Sequence, residues 1–161
     1  MSRDSKYISL QTLAENFINA YNACSVATPR NLKPINQVFE LRTRDCEQWT
    51  LPESLGIPSM TSSEYREFLE GIVRMGWEGM KMTSEKMMID VEGMKMVIHA
   101  KTKGMTPVGE YLQEYVFMLE VQEEEESGGL KVKKVEEFVD SKFDAEFRGK
   151  LGKYMSEKQK S

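Results

Sequence analysis

The side chains of this chain that could carry acid–base chemistry lie in stretches where polar and apolar residues alternate as in β-strands. Tyr111 and Tyr115 are four residues apart, and Glu136 and Glu137 interrupt a later alternating stretch. A carboxylic acid or phenol whose pKa is shifted by burial can take up or release a proton during a reaction. These residues therefore predict proton transfer as the chemistry of the chain.

One of the two adjacent glutamates at most can face a shared pocket, because neighbouring strand residues point to opposite faces of a sheet. Glu137 alternates with Val135 and Val139, and on that pattern we favour it over Glu136. The alternative is that both glutamates are solvated charges at a sheet edge or in an interface.

A site of this kind also needs a positive charge to stabilise a developing oxyanion. Arg42 and Arg44 share one face of a predicted strand that ends at Pro52, and they are the candidate cations. The single histidine, His99, would be the best-tuned acid–base group if it faced inward, because its ordinary pKa lies near neutrality. Alternatively, His99 lies on the surface or in an interface.

Other reaction classes lack their usual sequence signals. The chain has one histidine and two cysteines, with no CxxC pair and no HExxH helix, so we expect no zinc site. It has no glycine-rich phosphate-binding motif and no GxSxG nucleophile elbow. We therefore expect a reaction that uses no metal and no cofactor.

Composition indicates an ordinary globular domain. Of the 161 residues, 40% are hydrophobic and 30% are charged, which supports a single domain with an ordered core over about residues 9–155. Most of the 12 methionines lie between Met75 and Met105, where they either fill gaps in the core or line an adaptable apolar surface.

The charge pattern indicates which partners to expect. The net charge is −4 and no basic face is concentrated, so we expect no nucleic-acid partner. The sequence has neither a long apolar run nor a signal-peptide core, so we expect a cytoplasmic protein without a membrane partner.

Residues 102–122 predict the strand around which the rest of the chain is arranged. One face of its alternating run is aromatic, with hydroxyl and amide groups embedded: Tyr111, Gln113, Tyr115, Phe117 and Leu119. That mixture suits the wall of a pocket for a polycyclic, partly apolar ligand. Alternatively, the tyrosines are simply good strand formers on a half-buried sheet. The opposite face predicts contact with a second subunit and carries Leu112, Glu114, Val116, Met118 and Glu120.

Hydrophobic periodicity predicts the remaining elements. The expected helices cover residues 9–23 with Ser9 as N-cap, about 33–40, a segment opened by a capping box of Thr61 and Glu64, and a segment beginning at Ser141. The other expected strands cover residues 42–51, 81–90, 95–103 and 130–140. The order of elements is helix, strand, helix, four strands in a meander and helix. This order predicts an α+β fold whose bent sheet packs on helices.

Taken together, these residues resemble the fungal SnoaL-like proteins of the NTF2-like superfamily over about residues 9–155. The motifs that carry the resemblance are residues 14–22, Arg42-x-x-Asp45-Cys46, residues 51–58, residues 90–92, residues 106–111 with Glu114-Tyr115, and residues 135–141. The resemblance implies a cone-shaped α+β barrel of the cystatin-like type, usually dimeric, with a pocket between the bent sheet and the helices.

The resemblance also implies a function. Members of this group act in fungal secondary metabolism as cofactor-free cyclases, isomerases and dehydratases, among them the brevianamide-type semipinacolases and the meroterpenoid isomerases. The likeness implies these catalytic residues: Arg42, Tyr111, Tyr115 and Glu137. Beside them we expect these substrate-binding residues: Gln113, Phe117, His99, Phe17 and Tyr65.

The partners expected on this basis are a small, polycyclic substrate and a second copy of the chain, joined in a homodimer through the outer face of the sheet. The alternative is a non-catalytic NTF2-like protein that binds a small molecule or another protein.

Overall fold

Helices and strands follow one another in the predicted order, and the computed structural model, which describes residues 2–160, confirms an α+β fold. The helices are α1 Arg3–Ala23, α2 Asn36–Glu40, α3 Ser62–Arg74 and α4 Ser141–Lys158. The strands are β1 Arg42–Leu51, β2 Glu78–Asp90, β3 Lys95–Thr106, β4 Gly109–Glu123 and β5 Leu130–Val139. Within residues 2–160, no helix has the length and apolar character needed to cross a bilayer.

The five strands form one sheet in the order β1-β5-β4-β3-β2. Strands β2 to β5 make the predicted antiparallel meander, and β1 joins it by pairing in parallel with β5. In this register Glu137 on β5 lies opposite Thr50 on β1 and opposite Phe117 on β4. The topology therefore places the glutamate between polar side chains of one strand and aromatic side chains of the other.

The hydrophobic core lies between α1 and the inner face of the sheet. The apolar stripe of α1 is buried as its spacing predicts, and Phe17 packs edge to face on Phe117, with ring centroids 5.2 Å apart. The outer face of the sheet is open in the single chain, where Leu112 is 53% and Val116 37% exposed. That this face contacts a second subunit stays a prediction.

Strand β1 departs from simple alternation. Its register with β5 shifts between Arg42 and Glu47, where β1 advances five residues while β5 advances two, from Val132 to Lys134. An irregularity of this kind re-aims the side chains around it. Arg42 and Gln48 are buried, whereas Arg44 is exposed. The expectation that both arginines share one face is therefore wrong for Arg44.

Two helix starts also differ from the prediction. Helix α1 begins six residues earlier than expected, because Ser2 rather than Ser9 is the N-cap. Helix α4 is capped by the side chain of Asp140, one residue before the predicted cap Ser141. In both cases a short polar side chain accepts hydrogen bonds from backbone N–H groups at the helix start. Because several residues that can do this lie close together in the sequence, the pattern does not decide which of them is the cap.

The capping box of α3 is present as predicted. The backbone N–H of Thr61 donates to the Glu64 carboxylate at 2.8 Å, and the Glu64 N–H donates to the Thr61 hydroxyl at 3.3 Å. These bonds fix the first turn of the helix that carries Tyr65, which is 4% exposed and packs with Ala20 of α1 and Val38 of α2.

Replacing Thr61 with alanine should lower the free energy of unfolding by about 1 kcal/mol, because the Glu64 N–H in the first turn loses the hydroxyl that accepts its hydrogen bond. Chemical denaturation followed by circular dichroism measures this change. The matched control is Ser63→Ala, an exposed position in the same turn, which should stay within about 0.5 kcal/mol of the wild type. Equal effects of the two substitutions would contradict the assigned cap.

Candidate active site

A cavity of about 180 Å³ lies between the inner face of the sheet and helices α1, α3 and α4. Most of its wall is apolar and aromatic. The polar groups in the wall come from several elements of the fold and include Tyr21, Asn22, Tyr65, Thr102, Tyr111, Tyr115, Glu137, Asp144 and Arg148. A concave apolar space with a few convergent polar groups is the usual form of a small-molecule site.

Glu137 lines this cavity, whereas Glu136 lies outside it and pairs with Lys134. The Glu137 carboxylate accepts hydrogen bonds from Gln48 Nε2 and Thr50 Oγ1, each at 3.3 Å. Burial raises the pKa of Glu137 to about 7, although Arg42 acts in the opposite direction. The carboxyl group is therefore close to half-protonated at neutral pH and can serve as an acid or as a base.

Arg42 lies behind the wall of the cavity and is 5% exposed. Its Nη1 donates to Gln48 Oε1 and its Nη2 donates to Tyr21 Oη, both at 2.9 Å. The guanidinium also lies over the ring of Tyr65, 4.7 Å from the centroid. Because an arginine stays charged, Arg42 supplies a fixed positive charge to the site. Arg42 is not among the residues that line the cavity, and the expectation that its charge stabilises a developing oxyanion stays a prediction.

The four tyrosines of the wall form two hydrogen-bonded pairs. Tyr111 and Tyr115 lie 2.6 Å apart, oxygen to oxygen, and Tyr21 and Tyr65 lie 2.8 Å apart. Burial raises the pKa of all four phenols, that of Tyr21 to about 12, so each remains protonated at neutral pH. Each pair has two O–H groups and one bond between them, which leaves one O–H per pair to donate to a ligand.

Two of the predicted substrate-binding residues, Tyr65 and Phe117, line the cavity. Phe17 does not, because it lies in the core beneath the wall and is 2% exposed. Gln113 is 1% exposed and lies behind the wall, where its amide joins Asp140 to Asp144.

His99 is also corrected, because it lies outside the cavity. It occupies the outer face of the sheet, where its Nε2 pairs with the Glu114 carboxylate. The neighbouring residues Ile98 and Ala100 are fully buried and take the inner face, so alternation along β3 turns His99 outward. The surface placement considered for this histidine is therefore the observed one.

Several residues of the wall were missed by the sequence reasoning. Tyr21 belongs to the apolar stripe of α1, and its hydroxyl gave no signal of its own. Asp144 and Arg148 are four residues apart on α4, a spacing typical of an ion pair on one helix face. Trp77 packs on Tyr111 with ring centroids 4.9 Å apart. The methionine cluster also contributes to the wall, through Met75, Met80 and Met82.

The cysteines are poor candidates for a nucleophile. Burial raises the pKa of Cys24 to about 11 and also raises that of Cys46, so both stay in the thiol form. The thiolate is the reactive form of a cysteine. Over residues 2–160, no group of three or more His, Cys, Asp or Glu side chains is arranged to hold a metal ion.

Comparison with known proteins gives relatives at both the sequence and the structure level. No family model matches the sequence. The chain is 33% identical over 121 residues to Monooxygenase dmxR10 of Cryptosporiopsis sp. (strain 8999), an alignment that covers 74% of this chain and 77% of that protein.

Similar solved structures include BvnE pinacolase from Penicillium brevicompactum, with a TM-score of 0.77, 21% identity and coverage of 92% of this chain and 98% of that one. PrhC from Penicillium brasilianum has a TM-score of 0.73 and 20% identity, with coverage of 96% of this chain and 93% of that one. Other similar structures are described as NTF2-like and as having a cystatin-like fold. These likenesses support the fold.

The raised pKa of Glu137 predicts a specific dependence of stability on pH. As pH rises from about 4.5, the ordinary pKa, to about 7, the unfolded chain releases the proton more readily than the folded protein, so the wild type loses stability. The glutamine side chain of Glu137→Gln cannot ionise, so the free energy of unfolding of this variant should fall by up to roughly 3 kcal/mol less than that of the wild type. Urea denaturation at pH 5 and pH 8 measures the difference between the two proteins.

Glu136→Gln is the matched control, because it removes the neighbouring carboxylate outside the cavity and should keep the pH dependence of the wild type. If Glu137→Gln and the wild type change in parallel between the two pH values, Glu137 does not titrate as described.

Proposed function

This chain belongs to the fungal SnoaL-like proteins of the NTF2-like superfamily, and we propose that it is a cofactor-independent isomerase or cyclase. Its substrate is a polycyclic intermediate of fungal secondary-metabolite biosynthesis, which it rearranges or closes into a further ring by acid–base catalysis. The observation that carries this proposal is the Glu137 carboxyl group, with a pKa of about 7, in the wall of an aromatic cavity.

Glu137 supplies the proton transfer. In its protonated form it can donate a proton to a leaving hydroxyl group or to a carbonyl oxygen, and as a carboxylate it can remove a proton from the rearranged product. Such a residue works best when its pKa lies near the working pH, because both forms are then populated. One residue can therefore serve both the first and the last step of a rearrangement.

The tyrosine pairs hold and polarise the substrate. The free O–H of the Tyr111–Tyr115 pair and that of the Tyr21–Tyr65 pair can each donate to an oxygen on which negative charge develops. Arg42 donates to Tyr21, which strengthens the donor character of that pair. Arg42 thus acts as a positioning residue and polarises the site from behind the wall.

The aromatic lining suits a reaction with a positively charged intermediate. The stacked rings of Tyr115 and Phe117, with centroids 5.1 Å apart, present π-systems to the cavity. The face of an aromatic ring attracts a cation, and an apolar lining keeps water from intercepting it. The name pinacolase, carried by the similar structure BvnE, agrees with a skeletal rearrangement.

A second candidate is a monooxygenase, the name carried by the relative dmxR10. In that reaction Glu137 would remove a proton from an activated CH₂ group, and the electron-rich carbanion would react directly with O₂. One oxygen atom would enter the product as a carbonyl and the other would leave as water. An aromatic cavity with a carboxylate base suits the first of these steps as well.

Complementation of a gene deletion in the fungal host tests the proposal. Glu137→Gln should lower the yield of the downstream metabolite by about 100-fold or more, because the proton-transfer group is lost. Tyr115→Phe should lower it by about tenfold, because one hydrogen bond to the substrate is lost. Mass spectrometry of the culture measures both the product and the precursor that accumulates.

The matched control is Glu136→Gln, which removes an adjacent carboxylate that lies outside the cavity and should restore the wild-type yield. The accumulated precursor separates the two candidates. Isomerisation requires it to have the elemental composition of the product, whereas oxygenation requires a product with an added oxygen atom that ¹⁸O₂ labels. A wild-type yield from Glu137→Gln would rule out the assigned catalytic residue and favour a binding protein.

A further inference from the structure

Helix α4 places an ion pair in the cavity wall that the proposed proton transfer does not use. Asp144 and Arg148 both line the cavity, and Arg148 Nε donates to Asp144 Oδ2 at 2.6 Å. The side chain of Asp144 is 8% exposed, whereas that of Arg148 is 45% exposed. The carboxylate is therefore buried in the wall, and the guanidinium lies where the cavity meets solvent.

The orientation of Arg148 is fixed from inside the protein. Asp144 Oδ1 accepts a hydrogen bond from Gln113 Nε2 at 3.4 Å, and Gln113 Oε1 accepts one from the Asp140 N–H at 3.1 Å. Gln113 itself is 1% exposed, so this chain of contacts ties the first turn of α4 to strand β4. Asp144 therefore holds Arg148 by one edge of its guanidinium, the edge that carries Nε.

The other nitrogens of this guanidinium are available. Within residues 2–160, Nη1 and Nη2 of Arg148 have no hydrogen-bond or ion-pair partner. A planar guanidinium whose fork is free can bind a carboxylate or a similar oxyanion through two parallel hydrogen bonds. Charge-assisted bonds of this kind are stronger and more directional than neutral ones.

A second unpartnered donor lies in the same part of the wall. The buried indole Nε1–H of Trp77 has no hydrogen-bond partner among residues 2–160. The ring of Trp77 packs on Phe147, the residue before Arg148, with centroids 5.5 Å apart. A buried donor without a partner costs free energy, and an oxygen atom of a bound ligand would relieve that cost.

We propose that Arg148, held by Asp144, binds an acidic oxygen group of the ligand, a carboxylate or a phenolate, and so determines which part of a polycyclic molecule reaches Glu137. The identity of that ligand as a substrate rests on the proposed function. Recognition of its acidic group does not require turnover, so binding can be tested without it.

Two fluorescent probes with the same ring skeleton test this inference on the full chain. Anilinonaphthalenesulfonate carries a sulfonate that stands in for the acidic group, and N-phenylnaphthylamine lacks it. Arg148→Met should weaken binding of the anionic probe by about tenfold, because a charge-assisted pair is lost. The same variant should bind the neutral probe as the wild type does, which also shows that its cavity is intact.

Lys150→Met is the matched control, because it removes the same charge from an exposed position two residues along the same helix. It should leave the affinity for both probes unchanged. The proposal would be overturned if Lys150→Met weakened binding of the anionic probe as much as Arg148→Met does, or if Arg148→Met left that binding unchanged. It would also be overturned if the wild type did not bind the anionic probe.

The Glu137→Gln variant separates this inference from the proposed reaction. It should bind the anionic probe at least as tightly as the wild type, because a carboxylate in the wall of the same cavity is removed, while metabolite production is lost. If the variant no longer produces the metabolite but still binds the anionic probe, the result supports both proposals. If Glu137→Gln still binds the anionic probe and also gives a normal yield of the metabolite, the result contradicts the proposed reaction and leaves the role of Arg148 standing.

Discussion

The properties of the cavity depend on the side-chain amide of Gln48, which lies between Arg42 and Glu137 and hydrogen-bonds to both. Gln48 accepts from Arg42 through Oε1 and donates to Glu137 through Nε2, so both charged groups are satisfied without touching. A direct ion pair would hold the carboxyl group ionised and lower its pKa. With the amide between them, burial outweighs the attraction of the arginine, and the pKa of Glu137 rises to about 7.

The fold supplies this arrangement through the parallel pairing of β1 with β5. That pairing sets Thr50 opposite Glu137, while the register shift in β1 leaves both Arg42 and Gln48 on the buried side. Strand β4 then brings aromatic rings and phenols to the other side of the carboxyl group. The result is an apolar cavity in which one proton can be held or released, next to phenols that stay protonated.

Much of this architecture follows from periodicity, because a strand buried on one face must alternate. The two faces of β4, the meander and the capping box of α3 could all be predicted in this way. The placement of Arg44 could not, because a register shift breaks the period of two without leaving a mark in the sequence. The wall residue Tyr21 and the pair of Asp144 with Arg148 escaped prediction because tertiary packing decides which helix residues meet a cavity.

The most direct test of this account is the pKa of Glu137 itself. Titration of ¹³C-labelled glutamate side chains by NMR, with Glu137→Gln used to assign the resonance, reports the protonation of this carboxyl group alone. The account predicts a midpoint near 7. A midpoint near 4.5, the ordinary value for a glutamate, would show that the carboxyl group is ionised throughout the neutral range and would contradict its role as a proton donor.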